Sequence, residues 1–347
     1  MKEFVKISIE KLKLVYLWFT KILFAKDHFR VAPWTKLRLN LQGYLVDQYA
    51  IYDFKHRSQK EYLSEFDWYR SRRINGDYSF ILNNKLVCAE MLGHYTRVPE
   101  TYACRVGKRP ILLRDGTPAT QDNLLQLLRR HQTAILKPIG YGKGKGVHII
   151  TFDDGFHLDH APITERALWE LLQQEKDWFL SEYIRQATYL NEIYPHTANT
   201  IRLITLRHPE TQAFEVFFAV QRIGTAKTFP VDNGSRGGLV AKIDLQTGTL
   251  SEARTLHTLD VLETHPDSQA PIKGVQIPNW QALQQDILAL SNRFAYLSFI
   301  AWDLLVTDDG FCVIEANTSS GVNIIQLWGG QRNGPLGDFF RAHGIIR

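Results

Sequence analysis

Thr133–Ile150 reads TAILKPIGYGKGKGVHII, which puts a lysine on an entering strand ahead of a run of alternating glycines. Proline at 138 biases Lys137 towards extended backbone, so the lysine belongs to a strand and not to a helix. Gly140, Gly142, Gly144 and Gly146 follow at every second position, and residues i and i+2 of an extended chain point the same way. One face of such a flap carries no Cβ atoms. Ordering it costs backbone entropy, which makes sense if something must approach the main chain closely. Lys137, Lys143 and Lys145 make that something anionic, and a polyphosphate cradled by main-chain N–H groups and lysines meets both conditions. The stretch holds no Gly-x-x-x-x-Gly-Lys-Ser/Thr and no Gly-x-Gly-x-x-Gly leading into a helix, so the usual nucleotide loops are excluded. A solvated hairpin tip is the competing reading.

A second constellation lies in Ile300–Asn317, IAWDLLVTDDGFCVIEAN, where two apolar strands flank Asp308-Asp309-Gly310. A three-residue loop with a left-handed glycine pairs Thr307 with Phe311 and therefore Asp303 with Glu315, with Asn317 two along on the same face. A two-residue loop sets Asp303 opposite Ile314 and disperses the group. Opposed carboxylates repel, more so when buried. Mg²⁺, held by hard oxygen ligands, phosphates and water, resolves the conflict. Scattered acids on an exposed sheet face are the alternative, against which the neighbours Trp302, Leu304, Val313 and Ile314 argue. Flap and carboxylates together imply Mg²⁺-ATP chemistry, in which cations bridge and neutralise the phosphates.

These groups need rigid carriers, and the chain has material for them: 347 residues, 44% apolar, enough for a core split over two or three subdomains. The expected organisation is a helical N-terminal region over 1–75, a subdomain carrying the flap over 76–184, and a subdomain carrying the metal hairpin over 185–347. Asn84-Lys85 opens a helix that ends near Gly93; further helices are expected over Thr120–His131 and Thr164–Gln174, and strands over Val98–Tyr102 and Trp178–Ile184. Thr200–Leu206, Phe214–Ile223 and Leu239–Leu245 read as an antiparallel meander, and Asn279 as the side-chain cap of a helix with Leu283, Ile287, Leu290 and Phe294 on its apolar face.

The net charge of +5 is local: residues 1–40 hold nine Lys/Arg against three Asp/Glu, +6, which leaves the remainder near −1. A general nucleic-acid binder is therefore not expected. Residues 1–30 form a helix, basic on one side and aromatic on the other. Packing on the protein's own body is the preferred reading, and contact with an anionic membrane surface the other. Three scattered cysteines, Cys88, Cys104 and Cys312, point to a reducing compartment without disulfides. With no signal-peptide pattern and no uncharged bilayer-length stretch, the location expected is cytoplasmic, with the inner membrane face as a further option.

Taken together, these residues resemble the ATP-grasp superfamily from about Asn83 to Gly330. The resemblance implies an α+β fold in which two subdomains clasp ATP, here with a helical N-terminal extension. It implies that Lys85 and Lys137 reach the nucleotide, that Gly140–Gly146, including Gly142, Lys143, Gly144 and Gly146, is the phosphate flap, and that Ser181-Glu182-Tyr183-Ile184 is the hinge holding adenine. Glu192 is the candidate for ribose, and Asp303, Glu315 and Asn317 match the metal ligands in type and order. More narrowly, Asn199-Thr200-Ile201-Arg202, Val231-Asp232-Asn233 and Gly237-Gly238 resemble the sugar-transfer-associated group, thought to serve cell-surface polysaccharide assembly. In that reading Asn199, Asn233, Arg236, Gly237 and Gly238 face substrate. Many ATP-grasp ligases carry an arginine two residues before the first metal aspartate. Ala301 stands there instead, and Arg202 or Arg222 is the replacement on offer.

The activity so implied is a Mg²⁺-ATP-dependent ligase that activates a carboxylate as an acyl phosphate for an amine or other nucleophile. Arg202 and Arg222 would steady the transferring phosphoryl group, because preorganised positive charge is the main catalytic device. A kinase acting on a hydroxyl and a non-catalytic, membrane-docked nucleotide-binding factor are the alternatives. The substrate loops expected are 186–198, 225–238 and 262–278, with Tyr189, His196 and Arg236 as their polar residues. The sequence does not set the oligomeric state.

Overall fold

The computed structural model describes the backbone of residues 2–140 and 144–347, and side chains from residue 9 onwards within that range. The N-terminal region is helical: α1 (Lys2–Trp18) runs on through a π-helical turn (Phe19–Leu23) and is followed by α2 (Pro33–Leu41), α3 (Val46–Ile51), α4 (Glu65–Ser71), α5 (Ser79–Asn83) and α6 (Lys85–Leu92). Asn84 starts α6 as expected, its side chain accepting the Val87 N–H at 3.1 Å.

A first antiparallel sheet combines β1 (Thr101–Arg105), β2 (Leu112–Leu113), β3 (Thr133–Pro138), β4 (His148–Phe152), β5 (Phe156–Leu158), β6 (Ala161–Pro162) and β7 (Trp178–Glu182) in the order β2-β1-β7-β3-β4-β5-β6. It packs on α7 (Gln121–His131) and α8 (Glu165–Gln174), capped by Thr120 and Thr164. The alternation in Thr133–Pro138 buries Ala134 and Leu136 against those helices and leaves Lys137 facing the other way.

After α9 (Thr188–Ile193) comes a second antiparallel sheet: β8 (Ile201–Arg207), β9 (Phe214–Ile223), β10 (Leu239–Ile243), β11 (Leu250–Arg254), β12 (Val261–Leu262), β13 (Phe299–Thr307) and β14 (Gly310–Asn317), ordered β12-β11-β10-β9-β8-β13-β14. Between β12 and β13 lies α10 (Trp280–Arg293); α11 (Val322–Ile325) and α12 (Pro335–Ala342) close the chain. One sheet face packs on α6, α9 and α10. The other packs on α11, α12 and Leu63 through Ile204, Leu206, Phe218, Val220, Phe299 and Ala301. Continuing along that second face by strand alternation, β8 reaches Arg202, β9 reaches Arg222 and β13 reaches Asp303. An apolar floor thus becomes charged at one end across three adjacent strands.

Four expectations need correction. The hairpin loop has two residues, since Thr307 pairs with Gly310; a bulge between Leu304 and Asp303 absorbs Ile314 and still sets Asp303 opposite Glu315. Two of the flap glycines are not extended: Gly144 and Gly146 have φ of +66° and +72°, so they serve left-handed turns and not a bare strand face. Gly142 and Lys143 lie outside the described residues. Asn279 is itself left-handed, φ 53°, and makes no side-chain cap. Finally, among the described side chains α1 lays its aromatic side on the body only at its end, where Trp18 is half-buried and donates to the Asn40 carbonyl at 3.0 Å. Ile22 is buried, but Leu12 and Tyr16 on α1, Phe24 beyond it and Trp34 on α2 remain exposed at 69%, 66%, 74% and 80%.

Candidate active site

The charged end of the second sheet gathers side chains from seven segments. Arg202 on β8 is paired in register with Asp303 on β13, and its guanidinium grips that carboxylate at two points, Nε–Oδ1 2.5 Å and Nη2–Oδ2 3.0 Å. From the next strand, Arg222 Nη1 lies 3.3 Å from Asp303 Oδ2, and its Nη2 donates to Asp232 Oδ1 at 2.7 Å. Asp232 is anchored in turn by the Thr200 N–H and hydroxyl, which donate to Oδ2 at 2.7 and 2.6 Å. On the other side of Asp303, Lys85 Nζ of α6 lies 3.0 Å from Glu315 Oε2, and Asn317 Nδ2 donates to Glu315 Oε1 at 3.4 Å. Lys137 reaches the group from the first sheet, its Nζ 5.9 Å from the Phe179 ring centre and close enough to Lys85 and Glu315 to feel both charges. The flap lysine and the carboxylate ribbon are therefore on the same side of the molecule.

The electrostatics are those of an incomplete ion cluster. Four cations (Lys85, Lys137, Arg202, Arg222) face three anions (Asp232, Asp303, Glu315), a surplus of one positive charge. Burial and then Lys85 push Lys137 down to about 8, against the pull of Glu315. Burial opposes the charge of Glu315, but Lys85, a hydrogen bond with Asp303 and Arg202 outweigh it and hold Glu315 well below the usual carboxylate range. Burial pushes Asp303 up, against Arg202 and Arg222, and the nearby charge of Glu315 adds to the rise. Arg222 Nε is buried with no hydrogen-bond partner among the described residues, a donor that an incoming anionic oxygen would satisfy. Asp303, Glu315 and Asn317 offer two carboxylates and an amide oxygen, the hard donors that Mg²⁺ takes, so the residues fit Mg²⁺ by donor type, with Arg202 and Lys85 holding the two carboxylates in this structure.

Other predicted residues have different fates. Asn199 is fully buried and its carboxamide is spent on the fold, accepting from Thr197 Oγ1 and the Gly224 N–H and donating to the Tyr194 carbonyl; it is not free to face substrate as expected. Asn233 caps the short turn that follows, accepting from Ser235. Gly237 is left-handed at φ 106°, and a Cβ at Gly238 would lie 2.7 Å from the Asp232 carbonyl, so this loop requires both glycines. Arg236 is exposed and reaches across to the Gly144 carbonyl at 3.4 Å, joining loop and flap. Glu182 accepts from the Glu100 N–H at 3.2 Å, with Tyr183 exposed and Ile184 buried beside it. Glu192 is exposed on α9, and no described contact joins it to the cluster. Tyr189 is spent on Gln221, to which its hydroxyl donates at 3.3 Å. Sequence reasoning missed Asp232 as a site residue, although it stands inside a string already singled out, and Ser320, whose hydroxyl accepts from Arg202 Nη1 at 3.4 Å.

A family model described as sugar-transfer associated ATP-grasp matches residues 67–333. The chain belongs to this family. Its fold is accordingly the ATP-grasp fold, and the ATP-grasp cofactors, ATP and Mg²⁺, are its own. No curated protein matches the chain. Among solved structures it is similar to the ATP-grasp ligase PsnB complexed with minimal precursor (12% identity, 78% of this chain and 63% of that one, TM-score 0.42). It is also similar to D-alanine–D-alanine ligase from Bacillus anthracis complexed with ATP (12%, 77% and 65%, TM-score 0.40) and to N5-carboxyaminoimidazole ribonucleotide synthetase from Thermotoga maritima (11%, 69% and 42%, TM-score 0.37). The chain spans less than two thirds of the length of each.

Proposed function

We propose that this ATP-grasp protein is a ligase that activates a carboxylate and joins it to an amine or another nucleophile, with a place in the assembly of a cell-surface polysaccharide or a related product. In this reading Asp303, Glu315 and Asn317 hold Mg²⁺, and Lys85, Lys137 and the flap hold the phosphates, including Gly142, Lys143, Gly144 and Gly146. Glu182, Tyr183 and Ile184 line the adenine side. Bound ATP with Mg²⁺ supplies a γ-phosphoryl group: a carboxylate oxygen takes it and ADP leaves, then the nucleophile attacks the acyl carbon and phosphate leaves. Arg202 and Arg222 are fixed before substrate arrives by Asp303 and Asp232, so their charge needs no reorganisation when phosphoryl oxygens develop negative charge. Arg236, Gly237 and Gly238 present the loop that meets the flap. Asp232 is a positioning residue for Arg222.

The observation that carries the reading is the position of Lys137: a flap-strand lysine from one sheet lies near enough to Glu315, opposite Asp303 in the other, to feel its charge. The test is product analysis with ATP, Mg²⁺ and a panel of carboxylates in the presence of hydroxylamine, which traps an acyl phosphate as the hydroxamate. ADP, phosphate and hydroxamate support the ligase. A phosphorylated product without hydroxamate would make it a kinase, AMP would exclude this mechanism, and no turnover would favour a nucleotide-binding factor.

We further infer peripheral membrane contact. No helix among the described residues is long and apolar enough to cross a membrane. Yet α1, α2 and their link expose Leu12, Tyr16, Phe24 and Trp34 beside Lys11, Lys13, Lys21 and Lys26, an apolar surface rimmed by cations that suits an anionic lipid interface.

A further inference from the structure

Three side chains from three segments meet where the N-terminal region joins the second sheet. His28 lies in the link between the π-helical turn and α2, Asp47 is the second residue of α3, and His257 follows β11. Asp47 Oδ1 accepts the His28 N–H at 2.8 Å, while Oδ2 lies 2.6 Å from His28 Nδ1 and 3.8 Å from His257 Nδ1. The two imidazoles are stacked, centroids 4.1 Å apart at 26°. One ligand atom from each residue lies within 4.8 Å of the other two, and no other three His, Cys, Asp or Glu side chains converge in this way among the described residues.

We propose that His28, Asp47 and His257 bind a divalent transition-metal ion of the zinc class. Two imidazole nitrogens and one carboxylate oxygen form a borderline donor set that suits Zn²⁺, Co²⁺ or Ni²⁺, in contrast to the all-oxygen set of Asp303, Glu315 and Asn317. Three protein ligands leave a fourth position for water. The exposures grade from 9% for the Asp47 side chain through 28% for His257 to 41% for His28, so an ion can enter from solvent onto a fixed carboxylate. The His28 N–H on Asp47 Oδ1 orients that carboxylate from outside the ligand set. Metal–ligand lengths of about 2.0–2.2 Å place tetrahedral ligand atoms about 3.4 Å apart. The 2.6 Å contact must open and the 3.8 Å one close, each by less than about 1 Å, within reach of side-chain rotation. The ion would tie residues separated by more than two hundred positions and fix the N-terminal helices against the catalytic body.

The test uses the metal-stripped full chain in saturating Mg²⁺, titrated with Zn²⁺ under equilibrium dialysis and, in parallel, with Co²⁺ while the visible spectrum is recorded. The expected result is one Zn²⁺ per chain and visible ligand-field bands for Co²⁺, both retained in Glu315→Gln. His257→Ala and His28→Ala are each expected to weaken Zn²⁺ binding at least tenfold; exposed His28 covers the case in which the His257 variant fails to fold. Unchanged Zn²⁺ binding in His28→Ala, or loss of binding in Glu315→Gln, overturns the proposal. Absence of Zn²⁺ binding in the parent chain does so too and leaves the trio as a hydrogen-bonded latch.

Discussion

In the proposed site Lys137 faces phosphate, and raising the pH through about 8 removes its charge. Burial and Lys85 bring Lys137 down to about 8 from its ordinary 10.5. A ligand that requires the ammonium then loses about tenfold in affinity per pH unit above that point, equivalent to about 1.4 kcal/mol. The last phosphate proton, with a pKa of about 6, is already gone, so the nucleotide's own charge stays constant over the window. The assay is the Kd of a non-hydrolysable ATP analogue in saturating Mg²⁺ between about pH 7 and 9.5. We expect a plateau to about pH 8 and then a fall approaching one logarithmic unit per pH unit; Lys137→Met should bind weakly and show no slope. The folding linkage has the opposite sign. Between about 8 and 10.5 the unfolded chain binds the proton that native Lys137 has released, so the stability of the ligand-free protein rises with pH across that window. A slope that survives in Lys137→Met, or a flat Kd to about pH 9.5 in the parent chain, would refute the reasoning.

Other outcomes follow from the same geometry. Asp303→Asn leaves Arg202 and Arg222 buried with less counter-charge and should cost about 3 kcal/mol in urea unfolding besides abolishing turnover. Gly144→Ala forces a left-handed residue with a Cβ into Val231, 2.7 Å from its Cγ2, and should destabilise the flap by about 1–2 kcal/mol and raise the KM for ATP. Tyr16→Glu with Trp34→Glu should reduce co-sedimentation with anionic vesicles about tenfold or more while leaving thermal stability unchanged, because both side chains are exposed.

Much of this was legible because the signals were local. Asn84, Thr120 and Thr164 stood at the expected helix starts, where each side chain caps its helix, and mostly apolar runs marked β9 and β13. The opposition of Asp303 and Glu315 was also readable, but through the wrong loop: nothing in a single sequence reveals that Ile314 bulges, since a bulge depends on pairing with a partner strand. The glycine alternation suggested extended chain because spacing carries no φ angle. The three-strand alignment of Arg202, Arg222 and Asp303 needed the sheet order, and Asp232 needed the fold of the loop that returns it to Thr200. β11, LSEAR, mixes polar and apolar positions without alternation and β12 is two residues long, so neither left a periodicity to read.

The central claim is that Asp303, Glu315 and Asn317 hold the cation that holds the nucleotide. Its most direct test is the affinity for ATP with and without Mg²⁺ in the parent chain and in Glu315→Gln. We expect at least tenfold tighter binding with Mg²⁺ in the parent and no Mg²⁺ dependence in the variant. The same Mg²⁺ enhancement in both would contradict the account.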